Sequence, residues 1–243
     1  MKANNVDLVV HLASSLLPSS DIVGFCKDVE KVYIPTVMLM DYCASNNVRF
    51  VLFSSGGAVY GNSKVAFSEE TERNPASYYG LSKLGLENAV TFFHRIKGLQ
   101  YLIIRPSNPY GYGQNLYGRQ GLIAVIMGKI LKGEPLQIWG NGSAVKDYIF
   151  IDDFIFYAVS LLESSSLWNG AYNIGTGVGT SISDVLGAFK ENGIPLPQIE
   201  YMEERQGDVS RMILDCSKIK RNFNHQCLPL TEGIKLFWKQ VNE

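Results

Sequence analysis

Tyr79 and Lys83 stand four residues apart in the stretch Ser77-Tyr78-Tyr79-Gly80-Leu81-Ser82-Lys83. The pattern from Tyr78 to about His94 reads as a helix, and on a helix that spacing puts both side chains on one face. An ammonium near a phenol favours the phenolate. The pair therefore predicts a tyrosine whose pKa falls well below its free value of about 10, able to exchange a proton near neutral pH. A lone Tyr-x-x-x-Lys arises often by chance, so its meaning depends on what positions it.

Two apolar runs flank the pair. Arg49-Phe50-Val51-Leu52-Phe53 reads as a strand that stops in the small and polar turn Ser54-Ser55-Gly56-Gly57-Ala58-Val59-Tyr60-Gly61. Tyr101-Leu102-Ile103-Ile104-Arg105-Pro106 reads as a second strand, stopping in the polar turn Ser107-Asn108-Pro109-Tyr110-Gly111. Open α/β sheets bind ligands beyond the carboxyl ends of their strands. Strand, helix with the Tyr/Lys pair, strand is the arrangement such a site needs.

Taken together, these blocks resemble the extended short-chain dehydrogenase/reductase superfamily, and within it the NAD-dependent epimerase/dehydratase family typified by UDP-glucose 4-epimerase. The resemblance runs from about Val9 to Arg221. It implies an α/β fold: a Rossmann-like parallel sheet lacking its first strands, with a smaller C-terminal substrate-binding lobe. Residues 1–106 would form a partial NAD-binding region, and 107–243 mainly a nucleotide-sugar lobe, with segments interleaved. Asp7 to Ser15 reads as a fully buried strand, matching the family's fourth. The resemblance places its end, Leu12 and Ala13, beside NAD, together with Ser54 and Pro106. In the family a βαβαβ region with a Gly-x-x-Gly-x-x-Gly turn precedes this strand and holds the NAD pyrophosphate. No glycine-rich turn precedes Asp7, so the reading expects that part of the pattern, roughly 60 residues at about 30 per βαβ unit, to be missing and the Val9 strand to form an exposed edge.

The resemblance carries over further roles. Tyr79 would remove the sugar O4 proton while hydride passes from C4 to NAD, and Lys83 would hold the nicotinamide ribose. The family's catalytic Ser or Thr position holds Gly56, and Ser55, one residue away, is the candidate substitute. Sugar 4,6-dehydratases carry an Asp-Glu pair where this chain has Gly57 and Ala58, so dehydration has no acid/base pair here. Asn108 matches the asparagine that contacts the substrate diphosphate. In Lys146-Asp147-Tyr148-Ile149-Phe150, Lys146 replaces the family's phosphate-binding arginine, keeping the charge but losing the bidentate fork, and Phe150 replaces a histidine. Arg205 and Asp208, in Arg205-Gln206-Gly207-Asp208, match a diphosphate-gripping arginine and a hydroxyl-binding aspartate. The implied function is epimerisation of a nucleotide sugar by transient oxidation at C4, serving surface-polysaccharide synthesis. Two alternatives stay open: an NAD(P)-dependent nucleotide-sugar reductase, which would consume cofactor, and a chain that binds sugar nucleotides without turnover.

The remaining pattern is structural. Phe25 to Asn46 reads as mostly helical, with Met38, Leu39, Tyr42 and Cys43 on an apolar face and Pro35 at a kink or first turn. This helix and the Tyr79 helix commonly pair in a four-helix dimer interface in the family, which implies a homodimer. Arg119 to Gly133 predicts a helix with the apolar stripe Leu122, Val125, Ile126 and Ile130. Asp152 fits an N-cap for a helix over 153–163, and Ser181 or Ser183 a cap for the next. Pro229 to Glu243 predicts an amphipathic helix containing Leu236, Phe237 and Val241. His94 and His225 read as surface positions. With 243 residues, 46% hydrophobic and 19% charged, and a net charge of −1, the composition is that of an ordinary globular chain and gives no electrostatic footprint for nucleic acid. No apolar run is long enough to span a membrane, so a cytoplasmic protein without membrane or nucleic-acid partners is expected. Cys26, Cys43, Cys216 and Cys227 show no metal-ligand spacing.

Overall fold

The structure, a computed structural model, describes residues 5–118, 120–203 and 210–242. The chain divides into two compact units, one of residues 1–61, 68–106 and 158–174, the other of residues 62–67, 107–157 and 175–243.

The first unit is built on a four-stranded parallel sheet in the order β1 (Leu8–His11), β2 (Arg49–Phe53), β3 (Tyr101–Pro106), β7 (Gly170–Ile174). The register aligns His11 with Leu52, Phe53 with Ile104 and Pro106 with Ile174, so the strands' carboxyl ends lie along one edge. β2 and the body of β3 are buried on both faces, as their unbroken apolar sequence requires. β1 is not the fully buried strand its apolar sequence predicts; it is the exposed edge that the resemblance implies. Among the described residues it pairs only with β2, and an edge position leaves it half-exposed, with Val10 39% and Leu12 63% accessible.

Between β1 and β2 run α1 (Ile22–Asp28), a π-helical turn (Val29–Tyr33) and α2 (Ile34–Ser45). Asp21 caps α1 by accepting from the Gly24 N–H at 2.9 Å. Pro35 falls in the first turn of α2, directly after the π turn and within an unbroken helical stretch over 22–45, where its missing N–H interrupts the bonding. The buried residues of α2 are Thr36, Met40, Cys43 and Ala44; Met38, expected inside, is 68% exposed. After β2 comes the single turn α3 (Gly56–Val59), and then α4 (Tyr78–Lys97). The Ser77 hydroxyl caps α4 by accepting from the Gly80 N–H at 3.1 Å. Gly98 closes it in the left-handed region at φ 71°, a conformation open to glycine at little cost. Leu86 and Val90 of α4 pack with Met40, Phe50, Leu52 and Ile103 in the core of this unit, each such side chain contributing about 1.5–3 kcal/mol of transfer free energy.

The second unit holds β4 (Asn108–Tyr110), α5 (Leu122–Lys132), β5 (Leu136–Trp139), β6 (Val145–Phe150) and the start of α6 (Ile151–Glu163), then β8 (Gly179–Ser181), α7 (Ile182–Glu191), β9 (Ile199–Met202), β10 (Arg211–Met212), α8 (Ser217–Asn222) and α9 (Leu230–Asn242). β6 is central: β4 and β10 pair with it in parallel and β8 antiparallel, while β5 and β9 form a separate parallel pair. Ser181 and Asp184 form a reciprocal capping box on α7. The core gathers Ile126, Met127, Ile138, Phe189, Ile234 and Phe237.

Several expectations are corrected here. The buried stripe of α5 is Ile123, Ala124, Ile126 and Met127, one position round from the expected one, with Leu122, Val125 and Ile130 packed only partly against it. α6 follows β6 without a break, so Asp152 lies inside its first turn rather than capping it, and accepts from the Tyr112 hydroxyl at 2.9 Å. Leu236 is 44% exposed, because α9 buries Ile234 and Phe237 instead. His225 is no plain surface residue: its Nε2 lies 2.6 Å from Asp153 Oδ1 and its ring stacks on Phe156 at 4.1 Å. His94 is half-buried and bonds the Leu99 carbonyl at 2.9 Å.

Candidate active site

In the first unit, α4 brings Tyr79 and Lys83 to the carboxyl edge of the sheet. The close approach of α4 to α3 needs Gly80, since a Cβ there would collide with the Ala58 carbonyl and with Pro75. Lys83 is 3% exposed. Its ammonium donates to the Phe53 carbonyl at 2.9 Å and reaches the Ala13 carbonyl at 3.5 Å, tying together the chain leaving β1 and the end of β2. An ammonium has three N–H donors, so two carbonyls leave one for a ligand. Ser55 stands just before α3 as its N-cap residue, and Ser54, buried, is held by a backbone bond from its N–H to the Ile104 carbonyl at 2.8 Å. Leu12 and Ala13 are exposed beyond β1, and Pro106 ends β3 half-buried. Tyr79, Lys83, Ser55, Ser54, Leu12, Ala13 and Pro106 thus belong to one unit, with the strand-end residues on a single sheet edge.

The electrostatics depart from the sequence reading. The Tyr79 phenol is pushed above the usual tyrosine value by burial, and the neighbouring Ser55 hydroxyl opposes this by hydrogen bonding. Lys83 does not bring the phenol down. Its nitrogen sits 5.9 Å from the centre of the Tyr79 ring while its N–H groups point to main-chain carbonyls. Burial also depresses Lys83 itself to about 8, against an opposing pull from the Asp28 carboxylate. Desolvation penalises whichever form carries charge, and in this protein it outweighs the attraction the spacing suggested.

Three features here escaped the sequence reading. Asp28, 1% exposed, accepts from the Ser15 hydroxyl at 2.6 Å and the Ser82 hydroxyl at 2.7 Å. The Thr36 hydroxyl donates to the Val32 carbonyl at 2.6 Å, so the His11 Nε2 at 2.9 Å must donate to it, which assigns the tautomer. Burial first, and then the Lys83 charge, hold His11 toward its neutral form. Finally, Arg105 forks onto Glu87 (2.9 and 2.7 Å) and reaches the Tyr60 hydroxyl at 2.7 Å, fixing β3 against α4 below the site. No periodicity marks a buried acid such as Asp28 or Glu87.

In the second unit, Asn108 and Lys146 line one cavity of about 240 Å³ with Tyr110, Leu122, Ile123 and Tyr148. The Asn108 amide donates to the Asp147 carbonyl at 2.8 Å. Asp147, fully buried, accepts from the Thr176 N–H and hydroxyl and the Gly177 N–H at 2.7–3.0 Å, which locks the Gly175–Gly177 turn against β6. An amide and an ammonium above apolar and aromatic walls suit a ligand with a flat apolar part and an anionic part. Leu122 was read only as core, and Ile123 and Tyr148 were given no part in the site. A larger cavity of about 650 Å³, lined by Thr176, Lys220 and the 223–230 segment, contains none of the expected site residues. Arg205, Asp208 and Arg119 lie outside the described residues. Among the described residues no cluster of His, Cys, Asp and Glu could hold a metal ion, and no helix is long and apolar enough to cross a membrane.

Residues 1–175 match the model of a family described as NAD dependent epimerase/dehydratase. The chain is 32% identical over 240 residues to a dTDP-4-dehydro-6-deoxyglucose reductase of Escherichia coli, spanning 98% of this chain and 76% of that protein. A UDP-glucose 4-epimerase of Thermotoga maritima, solved with UDP-glucose, superposes with a TM-score of 0.89 at 32% identity, covering 97% of this chain and 77% of the other. The UDP-glucose 4-epimerase of Thermus thermophilus, solved with NAD, gives a TM-score of 0.89 at 27% identity, covering 99% and 79%.

Proposed function

This chain belongs to the NAD-dependent epimerase/dehydratase family, a family of enzymes whose cofactor is NAD, and we propose that it epimerises a UDP-sugar at C4. The observation that carries the reading is the Tyr79–Lys83–Ser55 group at the carboxyl edge of a parallel sheet. The residues there fit NAD: small Ala13 at a strand end permits close approach, and the buried Lys83 keeps an N–H donor for a ribose hydroxyl. When bound, the cofactor supplies a hydride acceptor and a positive charge.

Each residue then has a part. Tyr79 takes the proton from the sugar O4 as C4 is oxidised, and returns it when the ketone is reduced on its other face. The phenol of the resting protein is held high by burial, so the Tyr79 base depends on the added positive charge. Ser55 donates to the O4 region, in the place of the hydroxyl lacking at Gly56. Asn108 and Lys146, with Arg205 and Asp208, hold the diphosphate and nucleoside, so that the sugar can turn while the nucleotide stays fixed. In this reading the first unit carries the cofactor and the second the nucleotide sugar. The exposed Met38 (68%), Phe92 (45%) and Ile96 (55%) on α2 and α4 support a homodimer through these helices, acting in the cytoplasm to supply polysaccharide synthesis.

A second reading is a nucleotide-sugar reductase, favoured by the 32% identity to the E. coli enzyme. Incubation with UDP-glucose and NAD⁺, followed by proton NMR of the anomeric signals and by absorbance at the NADH band, separates the two. Epimerisation predicts UDP-galactose with no net NADH. In a parallel incubation with a 4-keto-6-deoxy nucleotide sugar and NAD(P)H, stoichiometric NAD(P)H loss without epimerisation of UDP-glucose would replace it.

A further inference from the structure

Asp28 is the carboxylate the mechanism has not used. It is 1% exposed and, among the described residues, bonded only by neutral donors: the Ser15 hydroxyl at 2.6 Å, the Ser15 N–H at 3.3 Å and the Ser82 hydroxyl at 2.7 Å. An isolated buried carboxylate is costly unless a counter-charge stands nearby. No Lys, Arg or His forms an ion pair with Asp28 among the described residues. Lys83 is the buried ammonium whose charge Asp28 favours, although no direct bond joins them. Among the described residues the Lys83 hydrogen bonds go to main-chain carbonyls, with the Tyr79 ring centre 5.9 Å away. The Asp28 carboxylate thus acts on the Lys83 ammonium through space, and Ser82, the neighbour of Lys83 on α4, ties the two residues together by its 2.7 Å bond to Asp28.

The remaining groups around Lys83 do not supply that balance. His11, from β1, is held toward neutrality by it. Tyr79, one turn earlier on α4, is a phenol held above its usual value. Glu87, one turn later, is already engaged by Arg105 and Arg73. The local backbone is also special: the widened π turn Val29–Tyr33 begins immediately after Asp28, a distortion frequent at functional sites.

We propose that Asp28 is the positioning residue of the Tyr79–Lys83 pair, its buried carboxylate balancing the Lys83 ammonium while Ser82 and Ser15 clamp α4 and the chain after β1 to α1. Its catalytic meaning rests on the proposed function; its test does not require turnover. The protein is labelled with lysine carrying ¹³C at Cε, and the Lys83 signal is assigned by its loss in Lys83→Met. Burial already depresses the Lys83 midpoint, to about 8. In Asp28→Asn it is expected to fall by about one pH unit, a tenfold change in the charged-to-neutral ratio at a given pH, and Asp28→Glu is expected to restore it. An unchanged midpoint in folded Asp28→Asn overturns the proposal. If Asp28→Asn does not fold, the Asp28→Asn/Lys83→Met double variant decides. Recovery of folding by removing both charges supports the pairing, and no recovery relative to Asp28→Asn overturns it. Absence of epimerase activity in the unmodified protein would leave the Lys83 midpoint readable, so the two failures are distinct.

Discussion

Replacing Glu87 by glutamine is expected to destabilise the first unit by about 3 kcal/mol. Glu87 is fully buried and accepts three charge-assisted bonds: from Arg105 at 2.9 and 2.7 Å, and from Arg73 at 3.1 Å. Gln offers one acceptor oxygen, so at least one Arg105 donor faces an NH₂ group and is orphaned. Losing one charged hydrogen bond and leaving the buried guanidinium without a counter-ion falls in the range of about 3–5 kcal/mol for a broken buried pair. The low end applies, because Arg105 retains the Tyr60 hydroxyl at 2.7 Å and the Glu69 carbonyl at 3.3 Å. Urea denaturation followed by circular dichroism should show a lower midpoint with an unchanged slope, and an equilibrium shift on the order of a hundredfold. The effect should depend on pH with a definite sign. Burial alone would raise the Glu87 carboxyl, but the bonds and charge of Arg105 and Arg73 bring it below its ordinary value. Its contribution is therefore complete above the unfolded value of about 4.3 and lost as pH falls through the lower, folded value. The gap between native and Glu87→Gln proteins should close in acid. A loss below about 1 kcal/mol at pH 7, the level of an exposed pair, would refute the reasoning.

Two further outcomes are expected. Ser55→Ala removes the hydrogen bond that opposes the upward shift of Tyr79, so the basic midpoint of the pH–rate profile should move up and turnover near pH 7 should drop at least several-fold; an unmoved profile would take Ser55 out of the site. Lys146→Met should weaken nucleotide-sugar binding by about 10–100-fold, the value of one charged hydrogen bond, measured by calorimetric titration of UDP; unchanged affinity would remove Lys146 from the phosphate site.

Much of the first unit was legible because its signals are local. The apolar runs at β2 and β3 leave little choice but buried parallel strands, and the helical pattern expected from Tyr78 to about His94 is α4, which runs on to Lys97. What sequence could not show depends on neighbours. β1 has the same apolar character as β2, so its own residues do not show the exposure of Val10 and Leu12; the edge position was expected only from the family resemblance. The face of α2 was misjudged because Met38 and Met40 look alike to periodicity, and α9 likewise buries Ile234 rather than Leu236. Asp152 has the residue type of a cap, but β6 runs straight into α6 and leaves no cap position for it. Tyr79 and Lys83 lie on the face their spacing implies, whereas their ionisation is set by desolvation, which spacing does not encode. Asp28 could be found only when Ser15, Ser82 and Lys83, distant in sequence, were seen around it.

The most direct test of the account is Tyr79→Phe, assayed for epimerisation of UDP-glucose in the presence of NAD⁺ beside a calorimetric titration with the same sugar nucleotide. The substitution deletes one hydroxyl on α4 and leaves Asn108, Lys146 and their cavity untouched. The account predicts turnover reduced by about 10²–10⁴-fold, the usual contribution of a general base, with binding within a few-fold of the native protein. Native turnover in Tyr79→Phe would contradict it and move the proton transfer to another group.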